Sequence, residues 1–225
     1  MSVTKAKPIS DFSGVKYKRL ENIVEEISIA AGIPKPKIYI IKSNEMNAFA
    51  TGRDPKNSSI AITTCLVENL NRDELSGVIA HEISHIANYD IRFSMIVSVM
   101  IGIVVILADL FLRNLRFANK NNKNSLFLIF GLIFALLAPI FLQFVKMAIS
   151  RKREFLADST AAKLTRYPEG LASALEKIAK TNKGNLNVSE AVSHLFFVDP
   201  NKNILDYLSS THPPIEERIK ILRSM

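Results

Sequence analysis

The sequence predicts an α+β fold that is mainly helical, with a small sheet and an inserted pair of long apolar helices. Three patterns support this prediction: apolar residues at helical spacing, two short β-branched runs, and two long apolar stretches. The 225 residues suit one domain with a membrane element. We divide the chain into residues 1–92, an inserted helical hairpin at 93–145, and residues 146–225.

The first part of the chain alternates between helical and strand patterns. Apolar residues recur every three or four positions across residues 12–31, which predicts a helix. Residues 37–41 and 59–63 are rich in β-branched side chains and predict two strands. Residues 44–57 between them predict a loop, with room for a short strand around Phe49.

A capping box predicts where the next helix begins. Asn71 is a favourable N-cap, and Glu74 three residues later is its usual partner. This helix runs toward Tyr89 with its apolar positions facing the core. The remaining predicted helices cover residues 149–164, a segment that Pro168 opens, and residues 214–223.

Residues 93–112 and 126–145 are two apolar runs, each long enough to cross a bilayer as a helix. Asp109 is the only charge in the first run, and the second, which contains Pro139, has none. A buried helical pair in a soluble core is the alternative. The length of the runs and their near absence of charge disfavour it. The lipid bilayer is therefore an expected partner.

The chain has 29 Lys and Arg against 21 Asp and Glu. No basic stretch is interleaved with aromatic residues, so we expect no nucleic-acid partner. Basic residues beside the apolar runs favour a multi-pass protein of the cell (inner) membrane whose domain outside those runs faces the cytoplasm. The single cysteine, Cys65, fits a reducing compartment, and no secretory signal peptide is expected.

His81, Glu82 and His85 form a His-Glu-x-x-His pattern on the capped helix. Imidazoles at positions i and i+4 share a helical face, so both can bind one Zn²⁺. Glu82 is the candidate general base toward a water molecule that zinc would acidify. A chance pattern on a surface helix is the alternative. The cap and the apolar remainder of the helix favour the metal site.

A catalytic zinc needs a third protein ligand and an open position. The candidates by residue type are Asp90, Glu154, Asp158, Glu169, His194 and His212. Glu154 and Asp158 are spaced i, i+4 on a predicted helix, so one carboxylate could bind zinc while the other orients a ligand histidine. A charged, solvated helix face is the alternative, because Arg and Lys residues are close neighbours.

Five motifs in order resemble those of the HtpX-type membrane zinc endopeptidases, a branch of the gluzincin metallopeptidases related to the CaaX prenyl proteases. They are GIPKPKIYII, NAFATGR, HEISH, SRKREFLAD and THPPIEERI. The resemblance implies a zincin-like metallopeptidase fold with one zinc per chain. It implies Glu154 as the third zinc ligand and Asp158 as the carboxylate behind the metal.

Two further residues are candidates for the active site. The backbone of His212 is stiffened by the two prolines that follow, and a rigid imidazole near zinc could stabilise an oxyanion. A capping or packing role for His212 is an equal alternative. Asn47 precedes a predicted strand, where the resemblance implies a substrate-binding edge. A turn-forming role is the alternative for Asn47.

The resemblance implies a zinc metalloendopeptidase of the EC 3.4.24 type that acts on protein or peptide substrates in the quality control of misfolded membrane proteins, as part of a stress response. A CaaX-type prenyl-protein protease and a non-proteolytic membrane protein with a structural metal site remain alternatives. Family members usually carry two more membrane helices ahead of this region. We expect either a short member or, preferably, the piece downstream of a removed hairpin.

Overall fold

The computed structural model describes residues 6–117, 125–181 and 213–225. Helices dominate, as the sequence predicts. In chain order the elements are β1 (Lys7–Pro8), α1 (Val15–Ala30), β2 (Lys37–Ile41), β3 (Ala48–Gly52), β4 (Ser58–Thr63), α2 (Thr64–Asn69), α3 (Arg72–Ala87), α4 (Asp90–Phe117), α5 (Ser125–Thr165), α6 (Pro168–Thr181) and α7 (Ile215–Leu222). Short 3₁₀ helices lie at Ile9–Asp11 and Pro55–Asn57.

The four described strands form one mixed sheet in the order β1-β2-β4-β3. β2 and β4 pair in parallel, whereas β1 and β3 pair antiparallel with their neighbours. The predicted strands at 37–41 and 59–63 are confirmed, with β4 one residue longer at its start. The short strand anticipated around Phe49 is β3, which occupies the middle of the predicted loop and one edge of the sheet.

A tight turn joins β3 to β4. Gly52 adopts a φ of 140°, and a Cβ built on it would lie 2.4 Å from the carbonyl oxygen of Asn57. Only glycine fits this close backbone approach. The side chain of Asp54 then accepts the backbone N–H of Asn57 at 2.8 Å and caps the short 3₁₀ helix. These contacts fold β3 back against β4.

Helix α3 is the central helix of the domain and packs against α1, α5, α6 and the edge strand β3. Its predicted capping box is confirmed. Asn71 accepts the backbone N–H of Glu74 at 2.9 Å, and the Glu74 carboxylate accepts the backbone N–H of Asn71 at 2.8 Å. The apolar positions of α3 are buried in a core shared with α1, the sheet and α6; those predicted to face it are Leu75, Val78, Ile79 and Ile86.

The chain turns sharply from α3 into the first apolar helix. α3 ends at Ala87, two residues before the predicted limit, and Tyr89 has a φ of 57°. α4 then begins at Asp90, three residues ahead of the predicted apolar run. The charged residue at the start of α4 therefore lies within the folded domain, where it is 5% exposed.

Helices α4 and α5 pack against each other and expose most of their apolar surface. Both are long and apolar enough to cross a membrane. Large side chains such as Met100 (63% exposed), Phe130 (68%) and Phe141 (67%) lie mostly uncovered by the described residues. A helical pair in a soluble core would be buried, so this exposure disfavours that alternative. α5 runs without a break through Pro139 and on to Thr165.

The close contact of α3 with α6 yields a test of the packing. A Cβ on Gly77 would lie 2.6 Å from the backbone nitrogen of Leu171, whereas a Cβ on Gly102 in α4 meets nothing within 4 Å. Gly77→Ala should therefore destabilise the fold by about 1–3 kcal/mol, although alanine favours helices. Gly102→Ala is the matched control and should be neutral or slightly stabilising.

Thermal unfolding of the detergent-solubilised chain measures both variants. Equal unfolding midpoints for the two glycine variants would contradict the close packing of α3 on α6.

Candidate metal centre

Three side chains converge where α3 meets α5. Nε2 of His81 and Nε2 of His85 lie 3.0 Å apart. One carboxylate oxygen of Glu154 lies 3.6 Å from the first nitrogen, and the other lies 3.5 Å from the second. Each of these residues offers one possible ligand atom, and the three atoms all lie within 4.8 Å of one another. Within the described ranges, they are the group of His, Cys, Asp or Glu side chains that could hold a metal ion. The three residues expected to bind zinc are thus brought together.

The local sequence explains why these groups share one place. The histidines are one turn apart on a capped and buried helix, so their rings project from the same face. Their rings meet edge to face with centroids 4.6 Å apart. α5 packs along α3 and presents Glu154, which is 6% exposed, to both rings.

A carboxylate lies behind each histidine ring. Nδ1 of His81 lies 2.9 Å from Oδ1 of Asp158, and Nδ1 of His85 lies 2.6 Å from Oδ2 of Asp90. If each Nδ1 carries the proton, it donates to its carboxylate, and each Nε2 then presents a lone pair toward Glu154. Two such nitrogens and a carboxylate make an all-acceptor cluster, which a cation fits.

Asp158 is therefore placed where the sequence-based hypothesis put it, behind the candidate metal centre. Asp90, considered among the candidate ligands, lies behind His85 on the side away from Nε2. It is absent from the converging group. A residue at the start of α4 reaches this position because the chain reverses at Tyr89.

Arg218 on α7 is a member of the site that sequence reasoning missed. It is 1% exposed, and its Nε and Nη2 donate to the two carboxylate oxygens of Asp158 at 2.8 and 2.7 Å. Nη1 lies 3.4 Å from the Glu154 carboxylate. The available signal was a cation inside the THPPIEERI motif that shares one helical face with Ile215 and Leu222, both of which are buried.

The buried charges set the protonation states of the site. Burial lowers the pKa of His81 to about 4, with the charges of His85 and Arg218 acting in the same direction and Asp158 opposing them. Burial opposes ionisation of Asp158, but the guanidinium of Arg218 outweighs it and the pKa falls to about 2. At neutral pH His81 is thus a neutral imidazole, the form that binds metals, and Asp158 is an anion.

The remaining predicted site residues that the structure describes, Glu82 and Asn47, are not part of the converging group. Glu82 is 3% exposed on α3, and its charge contributes to raising the pKa of Arg218. Asn47 is buried just before β3. Its backbone N–H donates to Thr63 Oγ1 at 2.9 Å, and its side-chain oxygen accepts the backbone N–H of Ala48, also at 2.9 Å. Asn47 thereby anchors the start of the edge strand.

His212, like His194, lies outside the described residues.

A family model described as peptidase family M48 matches residues 15–225. The chain belongs to peptidase family M48. The predicted resemblance to HtpX-type endopeptidases is confirmed by its relatives, each described as a protease HtpX homolog. The protein of Dictyoglomus turgidum is 50% identical over 226 residues, covering 96% of this chain and 74% of its own length. That of Caldanaerobacter subterraneus subsp. tengcongensis is 48% identical over 218 residues, covering 93% and 73%.

This M48 chain also resembles a solved structure, that of S. mikatae Ste24p. The TM-score is 0.63 at 26% identity, and the match covers 97% of this chain. The chain spans about half, 52%, of the length of that protein. The predicted mainly helical fold with a small sheet is thereby confirmed. The two exposed apolar helices and these relatives together indicate a membrane protein.

The buried Asp158–Arg218 pair yields a stability prediction. Arg218→Met should destabilise the metal-free chain by about 3–5 kcal/mol, because Asp158 remains as a buried charge without its main counter-ion. Adding Asp158→Asn should recover part of the loss. Arg223→Met, at the residue that follows the same helix, is the matched control. Its pairs with Glu169 and Glu176 are exposed, so it should cost less than about 1 kcal/mol.

Denaturant or thermal unfolding in the presence of a chelator compares the three variants. A loss for Arg218→Met no larger than that for Arg223→Met would contradict the proposed burial of the ion pair.

Proposed function

We propose that this chain is a membrane-anchored, zinc-dependent endopeptidase of the EC 3.4.24 type that hydrolyses internal peptide bonds. The observation that supports this proposal is the convergence of His81, His85 and Glu154, with Glu82 buried beside them on α3. The M48 membership and the HtpX homologues agree with it.

The donor set fits zinc of the catalytic kind. Two imidazoles and one carboxylate are the three protein ligands of many catalytic zinc sites, whereas structural sites close with four ligands. Among the described residues, three such side chains converge here. When bound, zinc acidifies a water molecule and polarises the substrate carbonyl. His81, His85 and Glu154 would hold it.

Glu82 is assigned as the general base. A carboxylate oxygen of Glu82 accepts a proton from the attacking water and can then deliver it to the nitrogen of the departing amine. Its burial favours this role, since a site with little solvent strengthens charge interactions with the substrate. His212 remains a proposed oxyanion-stabilising residue.

The edge strand β3 is the proposed substrate platform. It lies beside α3 and pairs with β4 on one side, so its other edge can pair with an extended peptide. Asn47 fixes the first residue of this strand, and we assign it to the substrate-binding edge. A peptide added to β3 would run alongside the helix that carries the histidines.

The proposed physiological role is the quality control of misfolded membrane proteins at the cell (inner) membrane. The exposed hairpin of α4 and α5 would anchor the chain in the bilayer. Basic residues at the domain-side ends of the hairpin favour a cytoplasmic position for the metal centre; these are Arg92, Lys146, Arg151, Lys152 and Arg153.

Zinc binding tests the ligand assignment. The wild-type chain should hold one zinc, and His85→Ala and Glu154→Gln should each lose most of it because a direct ligand is removed. Asp158→Asn should weaken zinc binding by about 10- to 100-fold, since it orients His81 without touching the metal. Metal analysis and competitive titration measure these changes. Full zinc retention in both ligand variants would exclude this site.

Hydrolysis tests the role of Glu82. Glu82→Gln should keep zinc but lose at least about 10²-fold in the rate of casein cleavage, because glutamine cannot accept a proton from water. Glu68→Gln, an exposed position on α2, is the control and should retain full activity. Comparable turnover by Glu82→Gln would remove it as the base. Cleavage of a prenylated CaaX peptide but not of casein would instead favour the prenyl-protease alternative.

A further inference from the structure

The residue pair Asp90 and Arg153 lies where the membrane hairpin joins the metal centre. Asp90 is the first residue of α4, and its carboxylate oxygen Oδ2 lies 2.6 Å from Nδ1 of His85. Asp90 is 5% exposed, so its charge is removed from water. A buried carboxylate requires a counter-charge close by.

Arg153 on α5 supplies that charge. Its Nη2 contacts the Asp90 carboxylate and also donates to the backbone carbonyl of Asn88 at 3.2 Å. Its guanidinium carbon lies 4.5 Å from the centre of the Phe93 ring, in cation–π geometry. The guanidinium group of Arg153 therefore contacts three residues of the α3–α4 junction, namely Asn88, Asp90 and Phe93.

The contacts around His85 repeat those around His81. His81, Asp158 and Arg218 form one His–Asp–Arg series, and His85, Asp90 and Arg153 form a second. In each series, a carboxylate oxygen lies within hydrogen-bond distance of Nδ1, and the arginine comes from a different helix than the histidine. Arg153 also directly precedes Glu154, the third candidate ligand, on α5.

We propose that Asp90 and Arg153 are positioning residues for His85. Asp90 keeps the proton of His85 on Nδ1 and fixes the plane of the ring, so that Nε2 is available to zinc. Arg153 holds Asp90 in place. The same ion pair joins the first residue of α4 to α5, which makes the orientation of His85 depend on how the two ends of the membrane hairpin are held together. This inference rests on the zinc site proposed above.

The test measures zinc affinity in the full chain in detergent by competition with a chelator. Asp90→Asn should weaken zinc binding by about 10- to 100-fold, the usual cost of losing a carboxylate behind a ligand histidine. Arg153→Gln should weaken it in the same direction. The double variant should bind no more weakly than Asp90→Asn alone, because Arg153 acts through Asp90.

Two matched controls separate this role from general effects of charge. Asp109→Asn removes an aspartate from the same helix, where it pairs with Arg113 at 2.8 Å and is exposed. Lys152→Gln removes an exposed cation next to Arg153. Both controls should keep the zinc affinity of the wild type. Arg153→Lys retains the positive charge but lacks the planar fork, and should recover only part of the affinity lost in Arg153→Gln.

Two readouts distinguish positioning from a merely structural contact. With Co²⁺ in place of zinc, Asp90→Asn should change the visible absorption spectrum, since the donor properties of His85 change. The unfolding midpoint of the metal-free chain reports stability alone. A lower midpoint with unchanged zinc affinity and an unchanged cobalt spectrum would overturn the inference.

The outcomes also separate this inference from the proposed function. If the wild-type chain binds no zinc, the proposed metal site fails. If the wild type binds zinc and Asp90→Asn binds it equally well, the metal site stands and the positioning role is wrong. If the losses in Asp90→Asn and Arg153→Gln add in the double variant, Arg153 does not act through Asp90.

Discussion

The close approach of three candidate metal-binding side chains is the constraint on which the rest of the site depends. Two imidazole nitrogens lie 3.0 Å apart, with carboxylate oxygens 3.5 and 3.6 Å away. When both Nε2 atoms are unprotonated, their lone pairs and the carboxylate oxygens repel one another at these distances unless a cation lies between them. The surrounding structure favours this arrangement by placing Asp158 and Asp90 against the two Nδ1 atoms, and Arg218 and Arg153 against those carboxylates.

This network explains why the domain buries so many charges. Buried ion pairs add little net stability, because desolvation offsets their attraction, and an apolar core of the same volume is often as stable. The presence of buried ion pairs in this domain is better explained by their effect on the orientation of the histidine rings. The bidentate contact of Arg218 holds both oxygens of Asp158, so the direction in which His81 can turn is limited. Burying these charged groups costs desolvation free energy, and the contacts that they make fix the orientation of the candidate ligands.

The membrane hairpin is part of the same architecture. α5 is one helix of 41 residues that contains both an exposed apolar stretch and Glu154. α4 starts with Asp90, which touches His85. Both helices that would enter the bilayer therefore begin or continue within the candidate metal centre. The hairpin and the candidate site are therefore joined by a continuous helix, α5, and by the contact of Asp90 with His85.

The sequence by itself determined the features that depend on residues close together in the chain. The i, i+4 histidines, the capping box at Asn71, the β-branched strands and the apolar runs all follow from helical or strand periodicity. The prediction that Glu154 and Asp158 share a helix face belongs to the same class. The five motifs added the family, which the comparisons confirm.

Only the tertiary structure decided which distant residues meet. Arg218 lies 137 positions from His81 and Arg153 lies 65 from Asn88, so no spacing rule connects them. The position of β3 at the sheet edge depends on pairing with β4, and the place of Asp90 behind His85 depends on a single turn at Tyr89. Such contacts arise from the packing of whole helices against one another. Local periodicity shows which face of a helix is apolar, but it does not identify the residue that will lie opposite.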